Sequence, residues 1–249
     1  MIQSRRAALA FVLFGCIAGT ALAQPPKFDI HAPTDPSRGD ALSNPEFKGP
    51  QVLTFVGVKP GQRVADIFSA RFTPAIAAAV GPKGRVYGVI PAEIIKVHPE
   101  LTGMIEGRTK NPAYANVEYS TLPINDMALP AGLDAVFIRQ NYHDLHVRFM
   151  GPADVPAFNR KVFAALKPGG VFVVIDHVAP AGMDLTNATN RLHRIDPAVV
   201  KSEVEAAGFV LDGESPILAN KDDAHDKMVL EPAILGKTDQ FMFRFRKPQ

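Results

Sequence analysis

The residues able to do chemistry fall in three short stretches. Asn141-Tyr142-His143-Asp144 sets a histidine between a phenol and a carboxylate, Asp176-His177 pairs a second histidine with an acid, and Asp66 stands in an apolar run just before Phe68-Ser69-Ala70-Arg71. Imidazole titrates near neutrality, so His143 can take a proton from an oxygen or nitrogen nucleophile, while Tyr142 can orient or stack on that acceptor, with Asp144 beside them. The plainer alternative has Asn141 and Asp144 capping a turn and His143 bonding to backbone. Asp66 can accept hydrogen bonds from an ammonium group or from loop amides, or it can cap the turn that follows it. Asp176-His177 is a separate candidate for acid–base chemistry. His193, His225 and Asp222-Asp223 offer a metal-site alternative, but their spacing matches no defined motif, so a solvated loop is expected there and no metal ligand is assigned.

Side chains so far apart in sequence need a scaffold to bring them together. Strands are expected over Arg63–Phe68, Arg85–Ile90, Val117–Ser120, Leu133–Arg139 and Val171–Asp176, with helices over Gln51–Val56, Pro74–Val80, Ala92–Glu106 and Asp154–Leu166. Short β-branched runs separated by helices indicate a buried, mostly parallel sheet with helices on both faces, an α/β domain. In such a sheet the stretches after the first, fourth and fifth strands all lie at the carboxyl edge, where ligands bind beside the topological switch point. The chain closes differently. A helix over Pro197–Ala207 ends at Gly208, Phe209-Val210-Leu211 follows as a strand, and a long polar connection leads to Gln240–Arg246. There Phe241, Phe243 and Phe245 share one face and Arg244 and Arg246 the other, the period of a half-buried strand suited to an antiparallel insertion at the sheet edge.

The helix closed by Leu166-Lys167-Pro168-Gly169-Gly170 and feeding Val171-Phe172-Val173-Val174-Ile175-Asp176 resembles the junction before the fifth strand of class I S-adenosylmethionine-dependent methyltransferases. Gly57-Val58-Lys59-Pro60-Gly61, Gly81-Pro82-Lys83-Gly84 and Ala207-Gly208-Phe209 fall where that family places its other turns, and the likeness runs from about Glu46 to Pro248. More narrowly, Arg139–Leu145 and Gly236–Phe241 resemble segments of a subgroup of exported bacterial predicted methyltransferases. The resemblance implies a Rossmann-like sheet with S-adenosylmethionine as cofactor and a small-molecule methyl acceptor. It places Asp66 and the backbone of Phe68, Ser69 and Ala70 at the cofactor, with Ile90, Leu122 and Asn141 completing that set and Tyr142, His143 and Asp144 near the acceptor.

Two features depart from the family. Its first loop is rich in glycine, whereas here Ser69, Ala70 and Arg71 add bulk, and a positive φ would cost such residues on the order of 1 kcal/mol each. The direction of Arg71 therefore bears on whether the methionine moiety can pass. The second strand ends in Val89-Ile90-Pro91 rather than an acid, leaving Glu93 as the nearest carboxylate for ribose, or simply as a favourable charge in a first helical turn. Thr121 and Leu122 follow the third strand, where the family contacts adenine. The alternative reading is an inactive methyltransferase-fold protein that binds another ligand or a protein partner in the cell envelope.

Composition narrows the setting. Arg5 and Arg6, an apolar run from Ala7 to Ala18 and Ala21-Leu22-Ala23 read as a signal peptide over 1–23, which implies a periplasmic or secreted protein. Leu13-Phe14-Gly15-Cys16 faintly resembles a lipoprotein signal, a minor alternative. Residues 24–49, rich in proline and polar residues, read as an extended arm and 50–249 as the methyltransferase-like domain. No later run is long and apolar enough to span a bilayer. Cys16 is the only cysteine, so cleavage after Ala23 leaves no thiol for disulfides, nucleophilic catalysis or metal ligation. A net charge of +2 that includes Arg5 and Arg6 suggests no nucleic-acid partner. Gly-x-Ser-x-Gly, P-loop and Gly-x-Gly-x-x-Gly patterns are absent, which argues against hydrolase, NTPase and ordinary dehydrogenase chemistry.

Overall fold

The apolar runs become strands β1 (Arg63–Ile67), β2 (Arg85–Val89), β3 (Val117–Ser120), β4 (Leu133–Arg139) and β5 (Leu166–His177), followed by β6 (Val210–Glu214) and β7 (Gln240–Arg246). In the computed structural model, which describes residues 39–68, 71–151 and 153–249, they form one seven-stranded sheet in the order β3-β2-β1-β4-β5-β7-β6. Strands β1 to β5 pair in parallel, and β7 runs antiparallel to both of its neighbours. The chain steps outward from β1 to β3 and then returns to the other side of β1, which puts the switch point between β1 and β4. Ile67 lies opposite Ile138 and Arg139 opposite Ile175, so the loops after β1, β4 and β5 open on one edge.

Successive strand residues point to opposite faces and so feed two cores. Ala65, Ile67, Val136, Ile138, Phe172 and Val174 pack with α4 (Glu100–Thr109), α5 (Val155–Ala165) and α7 (Pro197–Glu205). Val64, Ala135, Phe137, Val173 and Ile175 pack with α1 (Gly49–Val56) and α2 (Thr73–Val80). Helix α5 shows why the sequence chooses this. Asp154 caps its start by accepting from the Ala157 amide, and Val155, Phe158 and Val162 then recur on one buried stripe. Each such side chain contributes about 1.5–3 kcal/mol by leaving water.

Two expectations change in detail. The single helix over 92–106 is two, α3 (Ala92–Val97) and α4, because Pro99 cannot supply the amide that would continue the first. Strand β5 starts at Leu166, ahead of the Pro-Gly-Gly turn, with an irregularity in its pairing to β4. Gly169 there has φ 76°, and a Cβ on Gly170 would lie 2.9 Å from the Lys167 carbonyl oxygen. Strand β7 is the expected antiparallel insertion, lying between β5 and the edge strand β6, its three phenylalanines buried and Arg244 and Arg246 both bonded to Asp212.

The polar connection contains neither helix nor strand from 215 to 239, yet Leu218, Asp223, Val229 and Thr238 within it are buried. Between β5 and α7 the chain makes a turn of α-helix, α6 (Leu185–Asn187), and a π-helix over Ala188–Leu192. The described part of the arm, from residue 39, folds onto the loop after β1 through the Ala41 amide and the Arg71 carbonyl. The expected signal peptide lies outside the described residues. Among the described residues no helix is long and apolar enough to cross a membrane.

Candidate functional site

The loop after β1 is held by a carboxylate and by strain. Asp66, 3% exposed, accepts a 2.6 Å hydrogen bond from the hydroxyl of Thr73, the first residue of α2, where a negative charge is favourable. Two residues on, Phe68 adopts φ 59°, the left-handed conformation that costs an L side chain about 1–2 kcal/mol, and it does so buried. Arg71 is turned to the arm. Its Nη1 donates to the Gly39 carbonyl at 2.8 Å, and its guanidinium lies 5.3 Å from the Phe47 ring centroid. The Arg139 guanidinium, at the end of β4, lies 5.1 Å from the same ring. Burial and then the neighbouring Arg71 bring Arg139 down to about 9, and its Nε has no hydrogen-bond partner among the described residues.

The loop after β4 gathers imidazoles and carboxylates. Gln140 turns the chain at φ 59°, and His143 then comes under Asp176 at the end of β5. The Asp176 carboxylate accepts from the His143 backbone amide at 2.8 Å and meets His143 Nδ1 at 2.8 Å. On its other side His143 Nε2 is 3.3 Å from Asp144 Oδ1 and 3.3 Å from His193 Nδ1. Asn141 Nδ2 donates to Asp144 Oδ2 at 2.7 Å. Burial opposes a charge on His143, but Asp176 and then Asp144 outweigh it and raise the imidazole to about 10. Burial likewise opposes ionisation of Asp144, and His143 outweighs it, holding that carboxyl well below the usual range. The site therefore favours one positive charge between two carboxylates.

Known structures share this architecture. A SAM-dependent methyltransferase from Aquifex aeolicus is 22% identical with a TM-score of 0.57, covering 88% of this chain and 99% of its own. An S-adenosylmethionine-dependent methyltransferase from Mesorhizobium loti is 16% identical with a TM-score of 0.55, covering 83% of this chain and 99% of its own. The fold is that of the SAM-dependent methyltransferases. The cyclase SpnF is also similar, at 14% identity and a TM-score of 0.54, covering 86% of this chain and 85% of its own. No family model matches the sequence, and no curated protein is similar to it at the sequence level.

Within this methyltransferase fold the expected site residues separate. Asp66, near the end of β1, and Phe68, Asn141, His143 and Asp144, in the loops after β1 and β4, lie at the carboxyl edge, while Ser69 and Ala70 lie outside the described residues. Tyr142 is fully buried, its hydroxyl donating to Glu203 at 3.0 Å and accepting from Asn159 at 2.8 Å, so it ties the loop to α5 and α7 rather than stacking on a ligand. Ile90 packs in the core and Leu122 is exposed. The Glu93 carboxylate accepts from the Ile124 amide at 3.2 Å, a structural tie between α3 and the loop after β3. Asp176 serves His143, and His177 Nδ1 instead meets the Thr238 hydroxyl at 2.7 Å, so the two do not act as a separate pair.

The grouping of His193 with His225 and Asp222-Asp223 also dissolves. Asp223 is buried in a bidentate pair with Arg194, and His225 meets Asp239 at 3.0 Å, so that loop is structural rather than solvated throughout. His193 reaches His143 across fifty residues of sequence, a contact for which its spacing gave no signal.

Proposed function

We propose that this chain is a SAM-dependent methyltransferase acting on a small-molecule acceptor. The observation that carries the reading is Phe68. A glycine-free loop keeps a left-handed residue at the end of β1, at the switch point, although the side chain makes that conformation costly. The groups present suit the cofactor. Asp66 offers a carboxylate to an ammonium group, and the buried Nε–H of Arg139, which has no partner among the described residues, suits a carboxylate. Bound there, S-adenosylmethionine would supply an electrophilic methyl on its sulfonium, leaving the protein chiefly to align the acceptor. His143, Asp144 and His193 form the polar wall against which that acceptor is oriented. Resemblance to exported methyltransferases and the expected signal peptide support a periplasmic or secreted setting.

A second reading, binding of another ligand or a protein partner without methyl transfer, draws on the arm, whose Gly39 and Phe47 cover Arg71. The similarity to SpnF, named a cyclase, also shows that the fold does not dictate the reaction. Isothermal titration of S-adenosylmethionine and its demethylated product separates the two. Binding is expected, weakened at least about tenfold by Asp66→Ala, a loss near 1.4 kcal/mol. No heat with either compound at millimolar concentration would sink the cofactor assignment.

A further inference from the structure

We propose that His143 Nε2, Asp144 Oδ1 and His193 Nδ1 form a binding site for one divalent transition-metal ion, best suited to zinc, with a coordination position left open. The three atoms are separated by 3.3, 3.3 and 3.8 Å. Tetrahedral zinc ligands at about 2.0–2.1 Å stand about 3.3–3.4 Å apart, and a point equidistant from these three atoms lies about 2 Å from each. The donors already have the spacing of a coordination sphere. A proton explains the arrangement less well. A single N–H on His143 can point squarely at only one of its two neighbours, and the 3.8 Å between His193 and Asp144 is too long for a hydrogen bond. One ion satisfies all three.

The surroundings hold the donors in place. Asp176, against Nδ1 of His143, leaves Nε2 as the atom directed inward, the carboxylate–histidine arrangement that orients metal-bound imidazoles. Asn141 fixes the other oxygen of Asp144. His193 has φ 52° and directly follows the π-helix, an element that is rare and often found at functional sites. On its other side Arg194 is pinned by Asp223 and by the carbonyls of Val178 and Lys227. Backbone on both sides of the least buried donor is therefore set independently of that donor.

Two imidazoles and one carboxylate suit zinc and its neighbours in the first transition row, whereas calcium and magnesium require oxygen ligands. Three protein donors leave a position for water or for a hydroxyl or carboxylate oxygen of a small molecule, the pattern of reactive rather than structural sites. His143 and Asp144 are buried, while the His193 side chain is 29% exposed, so the open position faces the solvent side. The site shares His143, Asp144 and His193 with the acceptor wall of the methyltransferase reading, but metal affinity and cofactor affinity are separate measurements, so either can fail alone.

The test is titration of zinc chloride into the chelator-stripped full chain, with visible absorption of the cobalt(II) form as a second readout. One zinc per chain is expected, together with cobalt bands of a four- or five-coordinate site. His193→Ala should lower zinc affinity about 100-fold and Asn141→Ala about 10-fold, while His225→Ala, outside the cluster, leaves it unchanged. Circular dichroism of the metal-free variants checks that they fold. If His193→Ala does not, Asn141→Ala alone decides. Absence of zinc binding, or binding equal in the parent and the folded cluster variants, overturns the proposal.

Discussion

The loops after β1 and β4 share one sheet edge and one backbone device, but they hold it differently. Each turns on a non-glycine residue in the left-handed region, Phe68 in one and Gln140 in the other. Phe68 is kept there by apolar burial. Gln140 is kept by hydrogen bonds, its amide donating to the Ile175 carbonyl at 2.7 Å and its side chain to Gln240 at 3.0 Å. Their charges also differ. Arg71 and Arg139 meet over Phe47 on the β1 side, whereas Asp144 and Asp176 enclose His143 on the other. The edge thus carries two guanidinium groups over Phe47 at one end and a histidine between two carboxylates at the other.

If the histidine end depends on its carboxylates, removing one should be the most damaging change. Asp176 accepts from the amides of His143 and His177 and meets the His143 ring, all in the interior. Asp176→Ala is expected to cost about 3–5 kcal/mol, measured from urea denaturation midpoints, because it leaves the His143 amide, His143 Nδ1 and the His177 amide buried without that acceptor. A loss below 1 kcal/mol would show that the end is not built on this carboxylate.

Asp223 tests the support behind His193. Burial disfavours its charge, but Arg194 and the Asp239 and His225 amides prevail and hold the carboxyl below its ordinary value. A folded value below the unfolded one, about 3.9, means that this stabilisation is complete above that pH and is lost as pH falls through the folded value. Asp223→Asn should therefore cost about 2–3 kcal/mol at neutral pH, with the gap to the parent narrowing below about pH 4. Denaturation at pH 7 and pH 3 checks this, and a gap independent of pH would contradict it.

The arrangement of the edge was only partly legible in the sequence. Leu133–Arg139 and Gln240–Arg246 could be bounded correctly because their periods and flanking turns agree, and the carboxyl-edge position of Asp66, His143 and Asp176 follows from the parallel sheet. Which residues touch was not legible. The His143–Asp176 contact depends on the register that sets Arg139 against Ile175, and His193 arrives by way of a π-helix and a left-handed residue that no local pattern announces. Tyr142 shows the opposite limit. Its type suggested a ligand contact, but its partners, Asn159 and Glu203, become neighbours only when α5 and α7 pack.

The arginine end should be the softer one. Phe47 is half-buried, lies edge-on to Phe72 and beneath two guanidinium groups, and is the arm's principal apolar contact there. Phe47→Ala is expected to cost about 2 kcal/mol, combining lost burial with two cation–π contacts, and to speed proteolysis within residues 39–48. A loss as large as that of Asp176→Ala would erase the contrast between the two ends.

The smallest effect isolates the strain itself. Gln140→Ala and Gln140→Gly both lose the side-chain bonds to Gln240 and Arg139 while keeping the amide bond to Ile175. Glycine ordinarily destabilises by about 0.5–1 kcal/mol relative to alanine through the entropy of the unfolded chain. At φ 59°, however, it escapes a steric penalty of about 1–2 kcal/mol that alanine keeps. The glycine variant should therefore equal or exceed the alanine variant in stability, reversing the usual order by up to about 1 kcal/mol in paired denaturation curves. If alanine is clearly the more stable, the turn after β4 relaxes without cost, and strain distinguishes only the Phe68 loop.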